Sequence, residues 1–395
     1  MKPLIDRLHE KFSDKEINKA DEIPDIGEWE KFLKGLPVPK DSIDTAFNKY
    51  LCRMHYFPWH KRLFMNFLGL GAFPIELFYL ARSNQAVKKM NKGKAILEKS
   101  RDVPTFEDIF PEELYDEYKV KVAENFNQKF GILCKEARAV LLKCIKRHPF
   151  NFFFIYFVYM ELAAHSYFLL KYNPEATIVY VNERNVASPI ITELYEKDGR
   201  KLISFMHGEY LLQLVQGFMK FSRYYIWDKS YVDMFKWLKC DIEQYIVYTP
   251  GKLRKKWDFE GYETPFYCTY YLSGQSKESI ICLGSIFEKL ESQGKRCKVR
   301  PHPRDIQYIK EILEAFKNIT IEDSNKVSLK DSLGNTQYVI GLNTTVLIEA
   351  YVEGKQIVID DMSDKKHFMD AERRGAVAFR KEHLLLSELV HFDFE

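Results

Sequence analysis

Two stretches, KVRPHPR (residues 298–304) and YVIGLNTTVLIEAYVEGKQIVI (residues 338–359), decide how the fold is read. In each, a short apolar run stops abruptly at polar residues. The first stops at Arg300, Pro301, His302, Pro303 and Arg304, the second at Asn343, Thr344 and Thr345. The second stretch then resumes as a helix from Thr345 to Glu353 and a strand from Gln356 to Ile359, a strand–helix–strand unit. Ligands of open α/β sheets sit in the crevice beyond the carboxyl ends of the strands, so two such clusters read as two sides of one nucleotide pocket.

The same alternation extends outward. Before this unit the pattern gives strand Ser279–Leu283, helix Ile286–Ser292, strand Arg296–Val299, helix Ile306–Phe316, strand Ile319–Ile321 and helix Val327–Leu333. In the amino-terminal half, strands Ala176–Val181 and Lys201–Met206 flank a helix that begins at Ser188-Pro189 and closes at Asp198-Gly199. Tyr224–Trp227 and Tyr245–Tyr248 continue the series. Between the halves, Lys252 to Gly274 has the basic, aromatic, glycine and proline composition of a crossing between domains. The reading is therefore α/β: two Rossmann-like domains facing a cleft, residues 149–265 and 275–362. An amino-terminal helical elaboration (1–148), in which no strand pattern is convincing, precedes them. A helical segment (363–395) packs back across both.

At 395 residues with a formal net charge of +3, the chain exceeds one core and carries no overall charge that calls for nucleic acid. Its seven cysteines are scattered, with no Cys-x-x-Cys pair, and read as reduced thiols of a cytoplasmic protein. Met1 leads into a charged helical pattern rather than a signal core. The aromatic run from Pro149 to Leu170 has spanning length, but Glu161, His165 and Ser166 fall inside it, which favours a buried helix over a membrane span.

The prolines around His302 restrict its direction, and Arg300 and Arg304 add permanent charge suited to a phosphate. Asn343, Thr344 and Thr345 sit at a helix N-terminus, where backbone N–H groups bind anions. Glu349, one turn on, is placed to accept ribose hydroxyls. Gly284-Ser285, after the strand Ser279–Leu283, is a weaker phosphate-side pair. In the other half, Asn182-Glu183-Arg184 and His207-Gly208-Glu209 end neighbouring strands. His207 is the first candidate for a general base, with Glu209 and Glu183 in reserve.

His-Pro at 302–303 and Asn-Thr-Thr ahead of Glu349-Ala350 resemble the carboxyl-terminal pattern of bacterial GT-B enzymes that use CMP- or CDP-activated donors. These are the capsule and lipooligosaccharide sialyltransferases, polysialyltransferases, Kdo transferases and teichoic acid glycerophosphotransferases. The resemblance covers roughly residues 174–360. It implies a GT-B-like fold, with His302, Thr344 and Thr345 on the CMP phosphate, threonines standing where serines are usual. His207-Gly208 matches the His-Gly of the teichoic acid enzymes, whereas the sialyltransferase Asp/Glu-x-Gly motif has no counterpart. The implied activity is inverting transfer of a sialic or related nonulosonic acid from a CMP donor to a surface glycan or glycolipid, with no cofactor and no metal. A UDP-sugar transferase, a CDP-polyol phosphotransferase and a non-catalytic subunit of a surface-polysaccharide complex are the alternatives. Peripheral contact with the inner face of the membrane, through Lys252–Lys256 and exposed aromatics, completes the expectations.

Overall fold

The computed structural model describes residues 25–82, 95–97, 110–112, 114, 121–122, 132–172, 177–180, 182–254, 256–302 and 309–391. The chain divides into two compact units, Met1–His207 with Leu212–Pro250, and Gly208–Leu211 with Gly251–Glu395.

Among the described residues, the first unit opens with three helices, α1 (Ile26–Gly35), α2 (Ser42–His55) and α3 (Trp59–Ala81). Asp25 and Asp41 start the first two by accepting backbone N–H groups of the first turn, as capping carboxylates do. Strands β1 (Ala95–Leu97) and β2 (Lys121–Val122) follow, then α4 (Lys135–Arg147), α5 (Phe152–Lys171), β3 (Thr177–Val179) and α6 (Ser188–Lys197). β4 (Leu202–Phe205), β5 (Arg223–Ile226), α7 (Ser230–Trp237) and β6 (Tyr245–Val247) complete the unit. The strands form one parallel sheet in the order β2-β1-β3-β4-β5-β6. The mostly helical amino-terminal segment, in which no strand pattern is convincing from sequence, thus supplies two strands.

α5 is the aromatic run, and it is a core helix: Phe153, Phe154, Ile155, Val158, Leu162 and Ala163 are buried. His165, fully enclosed, has its Nδ1 3.0 Å from the Tyr195 hydroxyl, and burial pushes its pKa down to about 3, so the imidazole stays neutral.

The second unit runs β7 (Phe266–Tyr271), α8 (Lys277–Ser292), β8 (Cys297–Arg300), α9 (Ile309–Ala315), β9 (Thr320–Ile321) and α10 (Leu329–Gly334). β10 (Thr336–Gly341), α11 (Thr345–Val352), β11 (Gln356–Ile359), α12 (Lys365–Arg373), β12 (Leu384–Leu385) and α13 (Leu386–His391) follow. Its parallel sheet has the order β12-β11-β10-β7-β8-β9. Counted from the start of the unit this is 3-2-1-4-5-6 read from one edge, the Rossmann order. Residues of α8, α9 and α13 pack on one face and residues of α10 and α11 on the other. The expected pair of Rossmann-like units with a helical amino-terminal part is what the chain forms.

Two readings need correction. The crossing segment contains β7, the first and a central strand of the second sheet. Ser279–Leu283 is no strand: Ser276 caps a helix there by accepting the Ser279 N–H at 3.1 Å, and Ile280, Leu283, Phe287 and Leu290 recur at helical spacing on its buried side. Gly284 therefore lies mid-helix. A Cβ on it would come 2.4 Å from the carbonyl oxygen of Ala315 at the end of α9, so the glycine serves close helix packing. Gly284→Ala is expected to cost about 1–3 kcal/mol of stability. Ser285→Ala, on the exposed side one residue later, should stay within about 0.5 kcal/mol, both variants being read by urea titration against the native chain.

Candidate functional site

In the second unit the chain reverses direction across the sheet between β7 and β10, which pair directly. The helix leaving β7 covers one face and the helix leaving β10 covers the other, so a crevice opens at the carboxyl ends of these two strands. Two βα turns line it. After β7 come Ser273, Gly274, Gln275 and Ser276; after β10 come Asn343, Thr344 and Thr345. The Ser273 hydroxyl donates to the Asn343 carbonyl at 3.2 Å, which ties the turns together. Gly274 adopts φ +90°, and a Cβ there would meet open space. Its left-handed backbone is what demands glycine.

Beneath the turns the polar groups are linked. The Ser273 N–H donates to Gln275 Oε1 at 2.6 Å, and Gln275 Nε2 donates to the Tyr270 hydroxyl at 3.4 Å. Tyr270 donates to Asp360 Oδ2 at 2.8 Å; Asp360, fully buried at the end of β11, also accepts the Met362 and Ser363 N–H groups. Burial and then the neighbouring Asp360 charge raise the Tyr270 pKa, so the hydroxyl stays protonated and remains a donor.

Thr344 is the N-cap of α11, its hydroxyl accepting the Val346 N–H at 3.4 Å. Thr345 is the first helical residue, and Glu349 lies four residues on, on the same side of the helix and half-buried. β8 pairs with β7 on the side away from β10, so His302, exposed just past β8, shares the edge with the two turns. Strand spacing puts β8 and β10 roughly 10 Å apart, within reach of one small ligand. Pro303 and Arg304 lie outside the described residues. Arg300 does not point into an empty crevice: its guanidinium pairs with Glu322 at 2.5 Å, and Lys298 pairs with the other oxygen of the same carboxylate. Burial opposes ionisation of Glu322, but hydrogen bonds from Lys298, Ser332 and Arg300 outweigh it and lower its pKa. Gly284 and Ser285 are absent from the site, since no strand end exists there. Ser273, Gly274, Gln275 and Ser276 were missed, although a Ser-Gly pair behind a run of β-forming aromatics marks a βα turn. A cavity of about 600 Å³ elsewhere in the unit is lined by Phe368, Arg373, Arg380 and His383, among others, and by none of the residues singled out from the sequence.

In the first unit, Glu183 follows β3 and His207 follows β4, at the carboxyl ends of paired strands. Glu183 is buried and its carbonyl accepts Nζ of Lys49 at 2.9 Å. Lys49 also reaches the Val215 and Gly217 carbonyls, and burial lowers its pKa to about 8. His207 is half-exposed. Gly208 has open space where a Cβ would stand and needs no left-handed backbone. Glu209 belongs to the second unit, where its carboxylate accepts the Val377 N–H while Oε2 is sealed without a partner.

No family model and no curated protein matches the chain. Among solved structures, the wall teichoic acid polymerase TagF in a CDPG soak aligns at 10% identity with a TM-score of 0.41, over 84% of this chain and 87% of its own. Anabaena HepE, in complex with UDP and glucose, aligns at 14% identity and 0.40, over 75% and 88%. S. aureus TarM, in complex with UDP among other ligands, aligns at 8% identity and 0.38, over 55% and 47%. The chain thus spans about half the length of TarM. A teichoic acid enzyme is one of the groups the motif resemblance named, but TM-scores this low carry no functional weight.

Burial, against the N–H groups of Val377 and Ala378, raises the Glu209 pKa from 4.5 to about 7. The folded state prefers this carboxyl protonated, a preference complete below pH 4.5 and lost as pH rises through about 7. Glu209→Gln should therefore gain about 1–3 kcal/mol over the native chain at about pH 8.5, with no gain at about pH 5. Urea melts at the two pH values decide it, and an equal difference at both would show that Glu209 titrates normally.

Proposed function

We propose that the chain is a glycosyltransferase whose nucleotide donor binds at the carboxyl edge of the second sheet, across the β7 and β10 turns. The observation that carries this is the paired βα turns at the reversal point, with two threonines at a helix N-terminus and His302 on the adjoining strand end. Such a site holds the departing phosphate by backbone dipoles and hydroxyls, so charge stabilisation needs no reorganisation as the glycosidic bond breaks. His302, Thr344 and Thr345 hold the phosphate, Ser273 and Gln275 fix the turn that faces it, and Glu349 takes the ribose. The donor is a CMP-activated sialic or related nonulosonic acid, as the His-Pro and Asn-Thr-Thr resemblance implies, and the acceptor is a hydroxyl of a surface glycan or glycolipid. His207 removes the acceptor proton, with inversion at the sugar and no metal in the step.

Thermal-shift titration with CMP, CDP, UDP and GDP tests the donor. A ligand at a hundred times its dissociation constant stabilises by about 2.7 kcal/mol, so CMP should raise the melting temperature by several degrees and UDP and GDP by less. His302→Ala should lower turnover of the CMP sugar by about 10²–10³-fold without moving the ligand-free melt. Unchanged turnover, or stabilisation by none of the four nucleotides, would sink the assignment.

A further inference from the structure

α3 carries an apolar face that none of the other described elements of the first unit covers. Its buried residues, Met65, Gly69, Ala72 and Glu76, form a narrow stripe along one side. That stripe lies on α5: a Cβ at Gly69 would come 2.5 Å from the backbone of Phe152 and Phe153, and the Asn66 side chain bonds the Phe150 carbonyl and the Phe153 N–H. At 100° per residue the opposite side presents Trp59, Leu63, Phe64, Phe67, Leu70, Ile75, Leu77 and Phe78. Trp59 is 75% exposed, Phe67 61% and Phe78 57%, and Phe150 beside Asn66 is 79% exposed. Only 22% of the most apolar window of α3 is buried, against 61% for α5, although both have spanning length. A continuous apolar face of this size on a folded unit marks a partner.

Charge identifies the partner. From the start of α3 at residue 59 to residue 97 the sequence holds seven lysines and arginines and one acidic residue, Glu76. Glu76 is 1% exposed with neither carboxylate oxygen bonded, and burial raises its pKa to about 8, so it adds no negative charge at neutral pH. His60, Lys61 and Arg62 stand in the first turn, Arg82 caps the other end, and Lys88, Lys89, Lys92 and Lys94 follow in sequence. An apolar face bounded by cations at both helix ends, Lys61 and Arg62 in the first turn and Arg82 at the C-cap, with an aromatic residue at its polar end, is the pattern of a helix lying in the headgroup plane of an anionic bilayer. Fixation of the inner stripe against a core helix of the unit argues against spanning. A second copy of the chain would set the cationic clusters against one another, a repulsive pairing.

We infer that α3 is a membrane-docking helix, its Trp59–Phe78 face seated in the surface of an anionic phospholipid bilayer. This stands independently of the donor reading, and failure of the nucleotide titration leaves it untouched.

Co-sedimentation of the full chain with vesicles tests it, using phosphatidylcholine alone and phosphatidylcholine with roughly one third phosphatidylglycerol. The native chain should bind the anionic vesicles and bind neutral ones weakly. Replacing Phe64, Phe67 and Phe78 together by serine removes only exposed side chains, so the melt should hold while binding falls at least about ten-fold. Changing Lys88, Lys89, Lys92 and Lys94 to glutamine should narrow the difference between the vesicles, with Lys61, Arg62 and Arg82 retained. The Trp59 emission, isolated by subtraction of the Trp59→Phe spectrum, should shift to the blue on binding. Failure of the native chain to bind anionic vesicles overturns the inference, as does undiminished binding by the triple-serine variant. A native dimer that the same variant converts to monomer, with no vesicle binding, assigns the face to a second copy instead.

Discussion

The pairing of β7 with β10 is the constraint on which the second unit depends. These strands lie far apart in sequence, yet they are hydrogen-bonded neighbours in register from Thr336 and Phe266 to Ile340 and Tyr270. Parallel neighbours need crossover connections, and strands laid to either side of β7 send their helices to opposite faces. The crevice between the two turns is thus a product of topology before any side chain is chosen. Gly274 and the Ser273–Asn343 bond then shape it.

The strands best read from sequence are those that follow clear turn signals and are mostly apolar, because a strand buried on both faces needs little else. Gln356–Ile359 is matched residue for residue, and Thr177–Val179 and Leu202–Phe205 fall inside their expected runs. β7 escaped because Phe-Tyr-Cys-Thr-Tyr-Tyr mixes hydroxyls into an aromatic run, and its tyrosines find partners only after folding: Tyr270 on Asp360 and Tyr271 on Ser332. β1 and β2, of three and two residues, are too short for a periodicity to register. The Ser279–Leu283 error has one cause, since a five-residue apolar run fits a strand and a buried helical turn equally well.

The site shows the same division. Thr344 and Thr345 were legible because a polar pair between a strand and an apolar helix has few other places to go. The fate of Arg300 was not, because its partner Glu322 lies beyond an entire helix, and only the parallel pairing of β8 with β9 brings them together. Glu322 sits between Lys298 and Arg300 and leaves that cluster one net positive charge, so of the two arginines read as flanking His302, Arg300 is committed to Glu322 and Arg304 lies outside the described residues.

That redistribution bears on the chemistry. With Arg300 committed to Glu322, the described residues at the crevice edge supply mostly dipoles: the N–H groups at the start of α11 and the hydroxyls of Ser273, Thr344 and Thr345, with His302 on the adjoining strand end and the Glu349 carboxylate one turn along α11. Fixed dipoles stabilise charge that develops on a leaving phosphate without holding the ground-state anion as strongly as a row of guanidiniums would. In the donor-binding reading proposed above, release of the spent nucleotide is then less costly. The weight of the site rests on the geometry of two turns, which the strand order imposes, more than on any single cation.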